Sequence, residues 1–173
     1  MAKQINTQLR QAFSSFMTGV TVVTARAPDN TPVGFTANSF TSVSLDPPLL
    51  LVCPGRHLSS FGVFDTTEHF AVNVLAHTQE AICTLFAGRN ENRFSAVHWR
   101  PDDQQSPLID GCSASFSCRT YQRVDAGDHL VLIGQITGFE CSGTPGLGYA
   151  SSGYFTLNRE RMRAHLHQAK CAT

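Results

Sequence analysis

Residues 34–48 read GFTANSFTSVSLDPP and residues 49–53 continue as LLLVC. The first run packs hydroxyl and amide side chains between apolar positions. It ends on Asp46-Pro47-Pro48, where two prolines fix φ and withhold backbone N–H groups, so regular structure stops there. The second run is short and wholly apolar, which fits a buried strand. Upstream, residues 20–25 (VTVVTA) are rich in β-branched residues and read as a strand. The turn chemistry of PDNTP at 28–32 brings that strand back as a hairpin.

Working outward, residues 5–17 place Leu9, Ala12, Phe13, Phe16 and Met17 at helical spacing, with Asn6 or Thr7 as N-cap and Gly19 as the stop. Residues 57–64 suit a short helix and 70–75 (FAVNVL) a strand. Residues 78–87 are helical, closed by Gly88. Residues 89–111 are polar and read as a long loop, a kind of segment that often carries function. Residues 112–123, 130–133 and 135–140 read as strands. Residues 142–153 hold four glycines and one proline and read as a loop. Residues 154–157 form a last strand and 158–168 a terminal helix with Arg159, Arg161 and Arg163. Breaks are hairpin-sized and no βαβ alternation appears. The pattern predicts a mainly β domain, an antiparallel barrel closed or partly closed, with a few flanking helices.

The chain has 173 residues, which suits one domain. Hydrophobic residues make up 42% and charged ones only 15%, against roughly 25% charged in an average globular chain. Basic and acidic residues balance at 13 each, which speaks against nucleic acid. Lys3 and Lys170 are the only lysines, an arginine bias that GC-rich codon usage produces as readily as phosphate recognition does. No apolar run is long enough to span a membrane. The N-terminus lacks the apolar core of a signal peptide, so the expected compartment is the cytoplasm. Six cysteines (Cys53, Cys83, Cys112, Cys118, Cys141, Cys171) form no CxxC pair; reduced thiols are expected, and no zinc site. GxGxxG, GxxxxGK[ST] and GxSxG motifs are absent, His165 and His167 read as solvated tail residues, and Asp102-Asp103 reads as a turn.

Two segments could carry chemistry. Residues 34–48 offer many donors to a flat polar heterocycle or a phosphate, although composition alone favours a Ser/Thr-rich hairpin edge. Gly127-Asp128-His129 opens a very apolar strand. There His129 can donate, accept or stack, although chemistry alone favours a plain turn.

Taken in order, residues 16–24, 34–48, 70–75, Phe86-Ala87, Arg93-Phe94 and Gly127-Asp128-His129 resemble the short-chain flavin reductase family, the reductase components of two-component flavin-dependent monooxygenases. The resemblance runs from about residue 8 to 157 and leaves 158–173 as helix or tail. It implies a six-stranded antiparallel split barrel with Greek-key features, paired as a homodimer. It implies hydride transfer from NADH or NADPH to FMN or FAD, which then leaves for a partner monooxygenase. The flavin carries the redox chemistry, so no catalytic dyad and no metal is expected.

By motif matching, the resemblance assigns Thr36, Ala37, Asn38 and Ser39 to the isoalloxazine ring, mainly through backbone groups, with Ser42, Val43 and Ser44 continuing the cradle. Residues 53–60 correspond to the segment that meets the flavin phosphate, with Cys53, Arg56, Ser59 and Ser60 as candidates. Arg93 and Phe94 match a basic–aromatic pair near the flavin tail. His129 matches the histidine that contacts the nicotinamide dinucleotide. Relatives often carry a basic residue where Ser151 and Ser152 stand, while Tyr149 and Tyr154 remain able to stack on a ring. With Arg119 and Arg123 the nearest arginines to His129, NADH is favoured over NADPH. A flavin-retaining electron carrier and a non-catalytic split-barrel binding protein are the competing readings.

Overall fold

The structure, a computed structural model, describes residues 2–88 and 92–156. Helix α1 (Ala2–Ser14) leads into the two-residue strand β1 (Thr18–Gly19). Strand β2 (Thr21–Arg26) turns through a hairpin, closed by Ala27 N–H on the Thr31 carbonyl, into β3 (Pro32–Ala37). A corner of Asn38, Ser39 and Phe40 leads to β4 (Thr41–Leu45), which turns at Asp46 and Pro47 into β5 (Pro48–Val52). Helix α2 (Phe61–Thr66), β6 (His69–Val74) and α3 (Glu80–Ala87) follow. A 3-10 turn (Arg93–Ala96) precedes the short hairpin of β7 (Trp99–Pro101) and β8 (Pro107–Ile109). The long ribbon of β9 (Ala114–Ala126) and β10 (His129–Cys141) comes next, and the described chain ends with β11 (Leu147–Ala150) and β12 (Gly153–Thr156).

Seven strands form one antiparallel sheet in the order β3-β2-β6-β9-β10-β5-β4. Strands β3 and β4 are successive in sequence yet lie on opposite edges. The corner between them is so short that Ala37 and Thr41 stand at most about 14 Å apart. The two edges must therefore approach, and the sheet curls. Val23, Phe35, Leu50, Val52, Phe70, Val72, Cys118 and Leu132, drawn from both ends of the strand order, meet in one buried cluster around Phe64 of α2. Phe40 of the corner stacks on Phe116 with ring centroids 5.8 Å apart.

The mainly antiparallel β architecture stands as expected. The resemblance implied six strands; the sheet has seven. Among the described residues no ladder joins its two edges. The edges are joined by the covalent corner, and Ser39 Oγ, which accepts the Cys53 N–H at 2.9 Å, ties that corner to the end of β5.

Strand β2 is buried along most of its length because it has a second cover. Val22 joins Leu75, Cys83, Phe86, Phe94, Ile109 and Leu147 in a cluster outside the curl. Here the sequence reading needs correction. The polar stretch 89–111 is no simple loop: it supplies the β7–β8 hairpin, and Ser106 to Ile109 are buried. Its backbone serves the buried Asn73, whose amide donates to the Val22 carbonyl at 3.1 Å and accepts the Ile109 N–H at 2.8 Å. Polar composition there reflects satisfied burial, not exposure. Likewise 142–153 contains β11, paired with β1 and β12. Helix α1 begins at Ala2, so Asn6 and Thr7 lie inside it and cannot be its cap. The expected terminal helix at 158–168, the tail to 173 and with them His165 and His167 lie outside the described residues.

Candidate functional site

The corner that joins the sheet edges brings the sequence candidates together. Thr36 and Ala37 end β3, Asn38 and Ser39 form the corner, and Ser42, Val43 and Ser44 lie on β4. Three of the hydroxyls are engaged internally. Thr36 Oγ1 donates to the Cys83 carbonyl at 2.7 Å. Ser39 Oγ holds Cys53, and Ser44 Oγ accepts the Asp46 N–H at 3.2 Å. Ala37 is buried. Asn38 and Ser42 are exposed. As edge strands, β3 and β4 leave alternate backbone groups unpaired. The cradle therefore offers backbone from both edges and side-chain donors from Asn38 and Ser42. Val43 supplies exposed apolar surface beside them.

The segment 53–60 continues from this corner and is stitched to the turn at 127–129. Arg56 N–H donates to the Asp128 carbonyl at 2.9 Å, and Leu130 N–H to the Pro54 carbonyl at 3.0 Å. Gly55 and His129 form a β-bridge. The turn is a two-residue hairpin in which Gly127 takes a φ of +62°, a region where a Cβ is disfavoured. Arg56 forms an ion pair with Asp125, and its guanidinium lies over the Phe61 ring at 5.1 Å. Ser59 and Ser60 precede α2, and Ser60 makes no side-chain cap. His129 Nδ1 lies 2.7 Å from Asp128 Oδ1. That hydrogen bond, aided by the imidazole charge, holds the Asp128 carboxyl below its ordinary 3.8.

The other candidates sit behind β3 or at its end. Arg93 is committed within the chain: its guanidinium donates to the carbonyls of Gly34 at 2.8 Å, Gly88 at 3.0 Å and Phe86 at 3.4 Å. Desolvation lowers its pKa. Phe94 is buried, edge-on to Phe86 and Trp99. Tyr154 lies 5.4 Å from Tyr149 ring to ring, and its hydroxyl meets Cys83 Sγ at 3.1 Å. That contact first, and burial second, push the phenol up to about 12. Burial likewise raises the Cys53 thiol, against a lowering contact with Ser39. Ser151 and Ser152 form the exposed β11–β12 turn, where Ser151 N–H donates to the Ser14 carbonyl of α1 at 2.7 Å. Among the described residues no hydrogen bond or ring contact joins Tyr154 to His129: Tyr154 meets Cys83 and Tyr149, and His129 meets Asp128 and His57.

His57 was not among the named candidates. The structure sets its ring edge-on to that of His129, with centroids 6.2 Å apart. The signal in sequence was weak, a lone histidine after an arginine. A cleft of about 360 Å³ lies elsewhere, lined by His69, Arg100, Asp103, Ser117, Thr137 and Phe139, and contains none of the candidates.

The strip fits a planar group that carries phosphate. It offers backbone at two sheet edges for a ring, one arginine with two adjacent serines for an anion, and a histidine turn bonded to the same loop. Among the described residues no group of three or more His, Cys, Asp or Glu side chains could hold a metal.

Fold and strip together define a mainly β protein built on a curled antiparallel sheet. The chain belongs to the flavin reductase like domain family, whose model matches residues 13–158. It is 53% identical over 149 residues to the reductase component of the flavin-dependent trigonelline monooxygenase of Acinetobacter baylyi, covering 86% of this chain and 48% of that one. It is 48% identical over 147 residues to a stachydrine N-demethylase reductase subunit of Rhizobium meliloti, covering 85% of this chain and 64% of that one. The chain thus spans about half to two thirds of these relatives' length. A solved NADH:FAD oxidoreductase of Streptomyces globisporus, in complex with NAD and FAD fragments, superposes with a TM-score of 0.84 at 34% identity, over 88% of this chain and 93% of that one.

Proposed function

We propose that the chain is an NADH-dependent flavin reductase that reduces FAD or FMN and supplies the reduced flavin to a partner monooxygenase. Arg56 stands closer to the His129 turn than the sequence argument allowed, so the want of a nearby arginine does not set NADPH aside as a donor. The supporting observation is the stitching: the corner is bonded to 53–60 through Ser39 and Cys53, and 53–60 to the His129 turn through Arg56 and Gly55. Segments assigned to ring, phosphate and dinucleotide thus form one connected surface. Flavin supplies the hydride-accepting ring atom and carries the electrons away. The chain's own task is alignment.

In this reading the backbone of Thr36 to Ser39, with Asn38, Ser42, Val43 and Ser44, cradles the ring. Cys53, held to Ser39 through its backbone N–H, opens the segment that meets the phosphate. Arg56, Ser59 and Ser60 take the phosphate, where the arginine must exchange Asp125 for the ligand. Arg93 and Phe94 hold β3 against α3 behind the ring. His129 and Tyr154 take the dinucleotide. The chain acts as one domain, residues 1–173 with its core at 8–157. It works in the cytoplasm, where Cys53, Cys83, Cys112, Cys118 and Cys141 stay free thiols. The described residues include no helix long and apolar enough to cross a membrane. It works as a homodimer, in which the apolar face of α1 is covered.

The test is oxidation of NADH by the purified chain with added FAD, FMN or riboflavin. Multiple turnovers of added flavin are expected. A yellow protein with stoichiometric, non-exchanging flavin would make it an electron carrier, and folded protein that binds no flavin would make it a bare binding module.

A further inference from the structure

His129 is held on two sides. Asp128 takes its Nδ1 at 2.7 Å, and its Nε2 lies on the Gly55 side of the turn. The His57 ring meets it nearly at right angles, with an interplanar angle of 78°. Both rings lean over Gly55. A Cβ built there would lie 2.5 Å from His57 Cε1 and 3.3 Å from His129 Nε2, so the absent side chain is what lets the two imidazoles meet. The charged groups around the pair are Asp128, and Arg56 paired with Asp125. Among the described residues the His57 ring makes no hydrogen bond within the chain, and its backbone belongs to the loop that β10 pins in place.

We propose that His57 is a positioning residue that braces the His129 imidazole for its contact with the nicotinamide dinucleotide. The proposal rests on the reading of His129 as a dinucleotide contact. An imidazole at a turn is free to rotate about χ1 and χ2, and fixing those rotors beforehand lowers the entropy lost on binding. Asp128 alone fixes one nitrogen; an edge-on ring on the other side also fixes the plane.

The experiment uses His57→Ala, His57→Phe, His129→Ala and the double variant His57→Ala/His129→Ala. Calorimetric Kd for NAD+, KM and kcat for NADH, and the His129 ring-proton resonances of the free protein are read. His57→Ala should weaken NAD+ binding and raise the NADH KM by about three- to tenfold, with kcat within about twofold. His57→Phe, which keeps the ring edge, should restore most of the loss. In the His129→Ala background, His57→Ala should add nothing. Additive losses in the double variant would overturn the proposal, since His57 would then act by itself. An equal loss of flavin affinity would also overturn it, because the residue would be shaping the phosphate loop. Unmoved His129 resonances in His57→Ala would overturn the brace itself. Unchanged NAD+ affinity in His129→Ala, with those resonances shifted, would instead overturn the reading of His129 as the dinucleotide contact, and with it the functional role assigned to the brace.

Discussion

His129 is less than half exposed, at 42% of its side chain, and its hydrogen-bond partner Asp128 stands in solvent at 92%. A contact so placed contributes little to folding. His129→Ala should therefore raise the NADH KM roughly five- to thirtyfold, the worth of one hydrogen bond or stacking contact, and leave Tm almost unchanged. Michaelis constants and melting curves on the same variant check this; a lower Tm with an unaltered KM would make the residue structural. The buried thiols set a second expectation. Burial pushes Cys112 and Cys118 up to about 12 from 9.0. The unfolded chain loses those protons first as pH rises, so their stabilising share is full below pH 9 and drains away between about 9 and 12. Tm followed from pH 8 to 11 should fall across that window, with exposed Cys141 reacting with a thiol reagent before buried Cys112 and Cys118. A flat Tm would refute the burial assignment. At this scale the sequence was legible in local geometry: Gly127 and Asp128 form the expected turn, and His129 opens the apolar strand behind it. It was silent on His57, because the meeting of the two imidazoles depends on Gly55 lacking a side chain and on the loop reaching the 127–129 turn, a tertiary fact that no local spacing encodes.

At the scale of elements, Arg93 stands out as a clamp on three carbonyls from β3 and the end of α3. Lysine keeps the charge but lacks the planar fork. Arg93→Lys should cost about 2 kcal/mol of stability, the scale of hydrogen bonds to a charged group, and should weaken flavin binding by loosening β3. Denaturant titration with a flavin binding curve checks both; weaker flavin binding at unaltered stability would return Arg93 to direct contact with the flavin tail. Strands with strong β-branched or apolar runs, such as β2 and β5, were legible from their composition. The β7–β8 hairpin was not. Its residues Ser106 and Pro107 are buried because their backbone satisfies Asp102, Thr24 and Asn73, and a satisfied buried polar segment looks like a loop in sequence.

For the whole molecule, the helical spacing of α1 was legible, although the helix closes at Ser14, ahead of the expected residue 17. Ile5, Leu9 and Phe13 lie on it, and with Phe16 and Met17 beyond its end all are exposed, Phe16 at 76%. Leu45 on edge strand β4 is 95% exposed. A second copy of the chain would bury these side chains, and sedimentation at micromolar concentration should show twice the 18.8 kDa of one chain. A monomer alone would contradict it. The β class followed from local patterns, whereas the strand count and the open edge did not. They depend on which strands meet across long stretches of chain.

The three-residue corner between β3 and β4 also orders the path by which the fold is reached. Partners in the β2–β3, β4–β5 and β9–β10 hairpins lie close in sequence and can zip early, each closing only a short loop. The joints that complete the curl match distant residues, Thr21 with Val74, His69 with Arg119 and Val52 with Leu132. Contact order is therefore high, which places refolding in the millisecond-to-second class of β-rich domains. With so little slack at the corner, the first two hairpins arrive as a tethered pair, so that docking one of them onto its distant partner carries the other most of the way to its own.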